Sequence, residues 1–312
     1  MIIGVLLIRQ ALTGFSLSVL MLFCLWWGGG RMTEVYRILR VMNNNVILVR
    51  RKSKDTQLVL IGKGLGFKRK PDMEVEIDSE QIEKSFLAYD TKGKNDYLTL
   101  IENLDDKLIG LCSEITLLAE KRMGRLNENL LIVLTDHIGF AIERIKKGIE
   151  IQNPFVYEIK NLYPEEFRVG LAAKDLIKEQ MGIEINDDEV AFIALHLDAA
   201  KLNIKASDSF NKTRIVKMMV TSLEESLGLQ FEKNLTYIRL ISHFRSSLDR
   251  VEKKIPVDNP LLPTIKKSLK KSYALAKQVG ELVKKEAGFT LPDGELGYLA
   301  IHIDRICRTT GQ

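Results

Sequence analysis

The chain has 312 residues, of which 46% are hydrophobic and 28% charged, and it carries a net charge of +5. This is the composition of a globular protein with a core to bury, and the length suggests two or three domains; a disordered or low-complexity chain is excluded. The three cysteines, Cys24, Cys112 and Cys307, have neither metal-ligand spacing nor even pairing, so a disulfide scaffold is excluded and reduced thiols in a cytoplasmic protein are expected.

Residues 1–31 differ in character from the rest of the chain. Ala11 to Trp27 is an uncharged, mostly apolar run of 17 residues. A membrane span needs roughly 20. The run lacks the basic cluster and small-residue cleavage site of a signal peptide. Gly28-Gly29-Gly30-Arg31 is codable by a ribosome-binding purine run just ahead of Met32. The expectation is an apolar leader, 1–31, upstream of the true start, with no stable membrane insertion.

From Thr33 the pattern is strand-like. Val35 to Val41 alternates, and Val46 to Val49 and Leu58 to Ile61 are short apolar runs, separated by turns at Asn43-Asn44-Asn45 and Lys52 to Thr56. Gly62-Lys63-Gly64-Leu65-Gly66-Phe67 comes next, a glycine-rich turn in which alternate glycines permit positive φ and close backbone approach. It has neither the spacing nor the βαβ context of a dinucleotide fingerprint. Residues 34–70 hold ten lysines and arginines against Glu34 and Asp55, a concentration of positive charge suited to a polyanion. An all-β module of this size folds marginally alone, so a dimer is expected.

Thr91 to Asp96 reads as a polar linker, and from Tyr97 the period is helical. Leu131, Leu134, Ile138, Ile142 and Ile145 form one apolar stripe. Glu189 to Asp198 recurs as Glu295 to Asp304, Asp136-His137-Ile138 as Ser242-His243-Phe244, and Asn153-Pro154 as Asn259-Pro260, each displaced by 106 residues. The displacement implies an internal duplication into two all-α domains. Asp187 and Asp293 are the expected N-caps of the repeated helix, whose stripe is Val190, Ile193, Ala194 and Leu197, then Leu296, Leu299, Ala300 and Ile303.

All four histidines, His137, His196, His243 and His302, fall in the duplication at matched positions on helix flanks. Satisfied packing residues are the plain alternative. Metal binding lacks a local ligand set, and general acid–base catalysis lacks a nucleophile or ordered partner. Reversible phosphorylation needs only a neutral, nucleophilic imidazole. The flank arginines Arg144 and Arg250 are then candidates to pair with the added phosphate.

These residues resemble the Bgl/Sac/Lic-type bacterial transcriptional antiterminators. The resemblance covers Thr33 to the C-terminus and rests on Asn43-Asn44-Asn45, Gly62-Lys63-Gly64 with Phe67, Thr135-Asp136-His137, Ala194-Leu195-His196 and the paired copies. It implies a multidomain chain: a small all-β dimeric RNA-binding domain at 32–90, then two homologous all-α helical-bundle regulation domains at 97–204 and 205–312. It implies that Arg40, Asn43, Asn45, Gly62, Lys63 and Phe67 contact an RNA hairpin in an mRNA leader. Core packing is the plain reading of Phe67. It implies that His137 and His196 accept phosphate from a sugar-specific enzyme II, that HPr serves His243 and His302, and that the protein is a regulator without enzymatic activity or cofactor. Lys63 stands where many members carry arginine, and a point charge does not hydrogen-bond like a planar fork. Leu60 to Gly64, Asn153 to Phe155 and Tyr163 to Glu166 look most like the glucose-regulated branch. The competing functions are a DNA-binding activator, against which residues 33–70 offer no helix-turn-helix, and a histidine phosphorelay protein.

Overall fold

A computed structural model describes residues 33–53, 56–89, 105–255 and 257–309; the leader and the expected linker at 91–96 lie outside the described residues. The chain divides into two compact units, Met1–Gly93 and Lys94–Gln312.

The first unit is one antiparallel sheet of five strands: β1 (Thr33–Val41), β2 (Val46–Arg51), β3 (Thr56–Ile61), β4 (Glu74–Asp78) and β5 (Lys84–Tyr89), in the order β4-β1-β2-β3-β5. Strand β2 is the middle of the sheet, and its run Val46 to Val49 is buried on both faces. On one face Tyr36, Ile38, Ile47, Val49, Leu58, Leu60, Leu65 and Ile77 form the core. The two outer strands were not legible in the sequence. Their residues are acidic or mixed, and β4 takes its place by pairing with β1, Thr33 opposite Asp78 and Arg37 opposite Glu74. Ion pairs Lys52–Glu74 and Arg37–Asp72, both at 2.7 Å, accompany that pairing. The acidic stretch thus screens part of the basic one, though exposed pairs of this kind contribute little to stability.

The second unit is helical. The first copy contains α1 (Asp106–Met123), α2 (Leu130–Lys146), α3 (Val156–Leu162), α4 (Pro164–Met181) and α5 (Asp187–Leu202). The second contains α6 (Ala206–Leu227), α7 (Leu235–Glu252), α8 (Leu262–Ser268), α9 (Lys270–Ala287) and α10 (Asp293–Thr309). The 106-residue displacement carries α3 onto α8 and α4 onto α9 without a shift at either end. Leu131, Leu134, Ile138 and Ile142 are buried along α2, with Ile145 half-buried at its end. The stripes of α5 and α10 are buried at every position named from the sequence.

The expected N-caps are corrected. Asn186, not Asp187, caps α5, its side-chain oxygen accepting from the Glu189 N–H at 3.1 Å. Asp187 is the first helical residue and pairs with Lys174. Pro292 occupies the matching place before α10, where Asp293 is held by Lys266 at 2.6 Å and by the Tyr273 hydroxyl at 3.2 Å. A carboxylate in the first turn suits the helix dipole as well as a cap does.

The two copies meet through polar residues most of which the duplication does not share; Asp198, which recurs as Asp304, is the exception. Glu158, 1% exposed, accepts from the Tyr237 hydroxyl at 2.5 Å and pairs with Lys217 at 3.1 Å. Arg245 donates to Asp198 at 3.0 Å and to the Leu162 carbonyl at 2.5 Å, and lies over the Tyr163 ring at 3.8 Å. Asp198 also accepts from the Ser209 hydroxyl at 2.7 Å. Asn153 has a structural role too, its side-chain oxygen accepting from the Phe155 N–H at 3.0 Å. Two of the residues that suggested a glucose-regulated branch, Asn153 and Tyr163, therefore have a fold-level reason to be present.

Candidate functional site

In the first unit, two turns build one patch. The Asn43 side-chain oxygen accepts from the backbone of Asn45 at 2.8 Å and of Val46 at 2.9 Å, which closes the β1–β2 turn. The glycine-rich turn docks on it. Gly62 N–H donates to the Asn45 carbonyl at 3.0 Å, Gly66 N–H to the Asn44 carbonyl at 2.8 Å, and Gly64 N–H to the Asn45 side-chain oxygen at 2.9 Å. The glycines are required for different reasons. Gly64 has φ +74°, whereas a Cβ on Gly62 or Gly66 would lie 1.9 Å from the Gln81 carbonyl oxygen or 2.0 Å from that of Asn43. Such contacts between a side chain and rigid backbone leave room for no other residue.

Asn43, Asn45, Gly62, Lys63 and Phe67 are thereby brought together. Arg40 lies on the approach to the same turn, opposite Leu48 in the β1–β2 ladder and just past a register shift. Lys63 is exposed, and Phe67 is 57% exposed, so the core reading of this ring does not hold. The Lys68 ammonium lies 5.3 Å from the Phe67 ring centre. An open aromatic face, flanking cations and tightly approached backbone are the elements of single-strand and loop recognition in RNA. Asn43 and Asn45 also hold the turn through their side-chain oxygens, a second job the sequence did not reveal.

In the second unit the histidines meet in pairs, one within each copy. The His137 ring, on α2, lies 4.7 Å from that of His196, on α5. The His243 ring, on α7, lies 4.6 Å from that of His302, on α10. Behind each pair stands a carboxylate fixed by an arginine. Glu189 Oε2 is 3.5 Å from His137 Nε2, and Glu189 Oε1 accepts from Arg144 at 3.0 Å. Glu295 Oε2 is 3.9 Å from His243 Nε2, and Arg250 donates to both oxygens of Glu295, at 2.5 and 2.8 Å. The sequence singled out the arginines and missed the role of the glutamates. Their shared displacement with the histidines was the available signal.

Burial sets the charge of the rings. It lowers His137 to about 3, helped by His196 and Arg144, and lowers His196 to about 4 against the opposing pull of Asp136. Burial with His302 alongside lowers His243 to about 4, and His302 is lowered by burial, Arg305 and Arg239. All are neutral imidazoles near pH 7, the nucleophilic form. Burial pushes Glu295 up, but hydrogen bonds from Arg250 and Ser247 outweigh it and hold the carboxyl below its ordinary range.

The two sites are not copies in detail. Ser247 donates to Glu295 at 2.6 Å and lies 3.3 Å from His243 Nε2, where the first copy has Ala141. In the first copy His137 Nε2, His196 Nδ1, Glu189 Oε2, and Nε and Nη1 of Arg144 are buried without hydrogen-bond partners among the described residues. His196 lines a cavity of about 320 Å³ with Val133 and Lys205, and a second opening with Phe192 and Phe210. Among the described residues no group of three or more histidine, cysteine or acidic side chains is placed to hold a metal ion, and no helix is long and apolar enough to cross a membrane.

Comparison with known proteins matches the model of the CAT RNA binding domain to residues 36–95 and that of the PRD domain twice, to 113–200 and 217–306. The chain is 32% identical over 277 residues to the transcription antiterminator LicT of Bacillus subtilis (strain 168), covering 87% of this chain and 99% of that protein. It is 32% identical over 275 residues to the beta-glucoside operon antiterminator of Dickeya chrysanthemi, covering 86% and 96%. It is 29% identical over 273 residues to the GlcA/glcB genes antiterminator of Staphylococcus carnosus (strain TM300), covering 86% and 95%. These identities do not favour one branch over another. With a CAT domain on the glycine–asparagine patch and a PRD domain on each histidine pair, the chain belongs to the family of transcription antiterminators that join a CAT RNA binding domain to two PRD domains.

Proposed function

We propose that the chain binds an RNA hairpin in the leader of a sugar-operon mRNA, prevents the overlapping terminator from forming, and is switched by reversible phosphorylation of its histidines. The protein works in the cytoplasm as a homodimer, and it has no catalytic reaction of its own. The observation that carries the reading is the doubled pair of neutral, facing imidazoles, each backed by an arginine-fixed carboxylate. A sugar-specific enzyme II is the donor to His137 and His196, and HPr the donor to His243 and His302. The RNA-facing residues are Arg40, Asn43, Asn45, Gly62, Lys63 and Phe67. Backbone amides and Lys63 meet phosphates, asparagine amides meet base edges, and the open Phe67 ring stacks on a base.

A phosphoryl group adds about −1.5 to −2 charge to a site that is otherwise neutral at the rings. Where a dimer brings His137 and His196 near their symmetry mates, that charge disfavours the dimer and with it the RNA-binding state. Arg144 and Arg250 become partners of the phosphate only when Glu189 and Glu295 give way. Leu60 to Gly64 supports a glucose-regulated operon as the target. The test is a gel shift of the full chain with the hairpin upstream of the neighbouring transporter gene. Binding should weaken with salt by roughly 0.7–0.9 log units per log unit of salt for each phosphate contacted. A flat salt response, or equal binding to duplex DNA, removes the reading.

A further inference from the structure

We infer that the rings of the first pair differ in the atom that takes the phosphoryl group, His137 accepting on Nδ1 and His196 on Nε2, and that His243 of the second pair accepts on Nδ1 as His137 does. The inference rests on the phosphorylation reading above and adds to it the acceptor atom.

A neutral imidazole has one N–H and one lone pair, and the partner of one nitrogen decides which is which. His137 Nε2 is buried, and its neighbour at 3.5 Å is Glu189 Oε2. A carboxylate held by arginine accepts and does not donate, so it draws the N–H to Nε2 and leaves the lone pair on Nδ1. In the second copy the same result is reached by another construction. The Ser247 hydroxyl spends its proton on Glu295 at 2.6 Å, so at 3.3 Å its oxygen can only accept from His243 Nε2. Arg250 donates to that oxygen as well, at 3.3 Å. Two different side-chain sets thus hold the proton on the same nitrogen.

Access agrees with the proton count. In-line attack needs a lone pair that a donor can reach. Nε2 of His137 is sealed, yet the side chain keeps 17% of its surface exposed, so the reachable part of the ring lies away from Nε2. His196 is the reverse: its Nδ1 is buried without a partner, and the ring lines the cavity beside Val133 and Lys205. A phosphoryl group on Nε2 of His137 would be driven against Glu189 and would have to break its ion pair with Arg144. In the transfer, the acceptor lone pair forms the new N–P bond. The donor N–P bond breaks, its electron pair returns to the donor ring, and the N–H of each ring stays in place.

The experiment phosphorylates the full chain in two ways: with phosphoramidate, from which the phosphoryl group passes to the ring and ammonia leaves, and with phosphoenolpyruvate, enzyme I and HPr. Positional isomers are read by ³¹P NMR and assigned to sites by mass spectrometry. The variant His196→Ala/His302→Ala keeps the carboxylate-facing rings and should carry the Nδ1 isomer. The variant His137→Ala/His243→Ala should carry the Nε2 isomer at His196. Adding Glu189→Gln to the first variant supplies an amide that both donates and accepts, and the Nε2 isomer should then appear at His137. The Nε2 isomer dominating at His137 or His243 with Glu189 and Glu295 intact overturns the inference and leaves the phosphorylation reading standing. A chain that takes no phosphoryl group from either donor removes both.

Discussion

At the scale of single residues, the decisive groups are those whose neighbours leave them no choice. His137 and His243 are held neutral by burial, at about 3 and about 4. A histidine whose folded pKa lies below its ordinary 6.5 stays uncharged in the fold while the unfolded chain takes up a proton. Stability is therefore full above about pH 6.5 and falls as pH drops toward 4 and then 3, by up to about 1.4 kcal/mol per pH unit for each ring. Chemical denaturation between pH 7.5 and 4.5 should show that slope, and His137→Gln/His243→Gln should flatten it. A wild-type midpoint unchanged down to pH 5 counts against buried neutral rings. In the first unit Gly66→Ala places a methyl group 2.0 Å from the Asn43 carbonyl oxygen. The clash should cost about 1–3 kcal/mol and remove RNA binding together with the docked turn. Lys63→Ala should leave the melting temperature within a degree or two and weaken binding through a smaller salt slope.

At the scale of elements, the duplication made most of the fold legible. The apolar period predicted the helical unit, and one displacement predicted its two copies, with the histidines at matched positions in them. That each pair lies within a copy, across α2 and α5 or α7 and α10, needed the structure. Strands β1 to β3 were legible because their runs are apolar. Strands β4 and β5 were not, because edge strands are specified by partners rather than by pattern. Glu189 and Glu295 were visible on the histidine flanks, seven residues before His196 and His302, but their role was not, because a buried acid reads as a surface acid until its arginine is in place. The contact between copies was illegible for the opposite reason: Glu158, Tyr163 and Arg245 break the repeat. Arg245 lies two residues after His243, and its partner Asp198 two residues after His196. Arg245→Ala strands Asp198, which is 3% exposed. The expected cost is about 3 kcal/mol, because the buried carboxylate loses its cation and keeps the Ser209 hydroxyl, which brings no countercharge. Calorimetry should show the helical unit melting earlier and with less cooperativity between its copies. An unchanged transition would mean that the copies hold together without this ion pair.

At the scale of the whole molecule, the sheet unit should be separable. Residues 32–90 should form a dimer and bind the hairpin, as light scattering and a gel shift would show; a monomer that binds equally well would rule out dimerisation as a requirement. On the proposed switch, regulation needs only a shift of a few kcal/mol away from the dimer that binds RNA. Charge at His137 and His196 should supply it, so His137→Asp/His196→Asp should bind the hairpin at least tenfold more weakly, about 1.4 kcal/mol. The sharpest check on this switch is a terminator-reporter assay, with and without the cognate sugar, of wild type against His137→Ala/His196→Ala. The alanine variant should read through the terminator whether or not sugar is present. A variant that still responds fully to sugar would overturn the mechanism, because the first regulation domain would then not be the sensor.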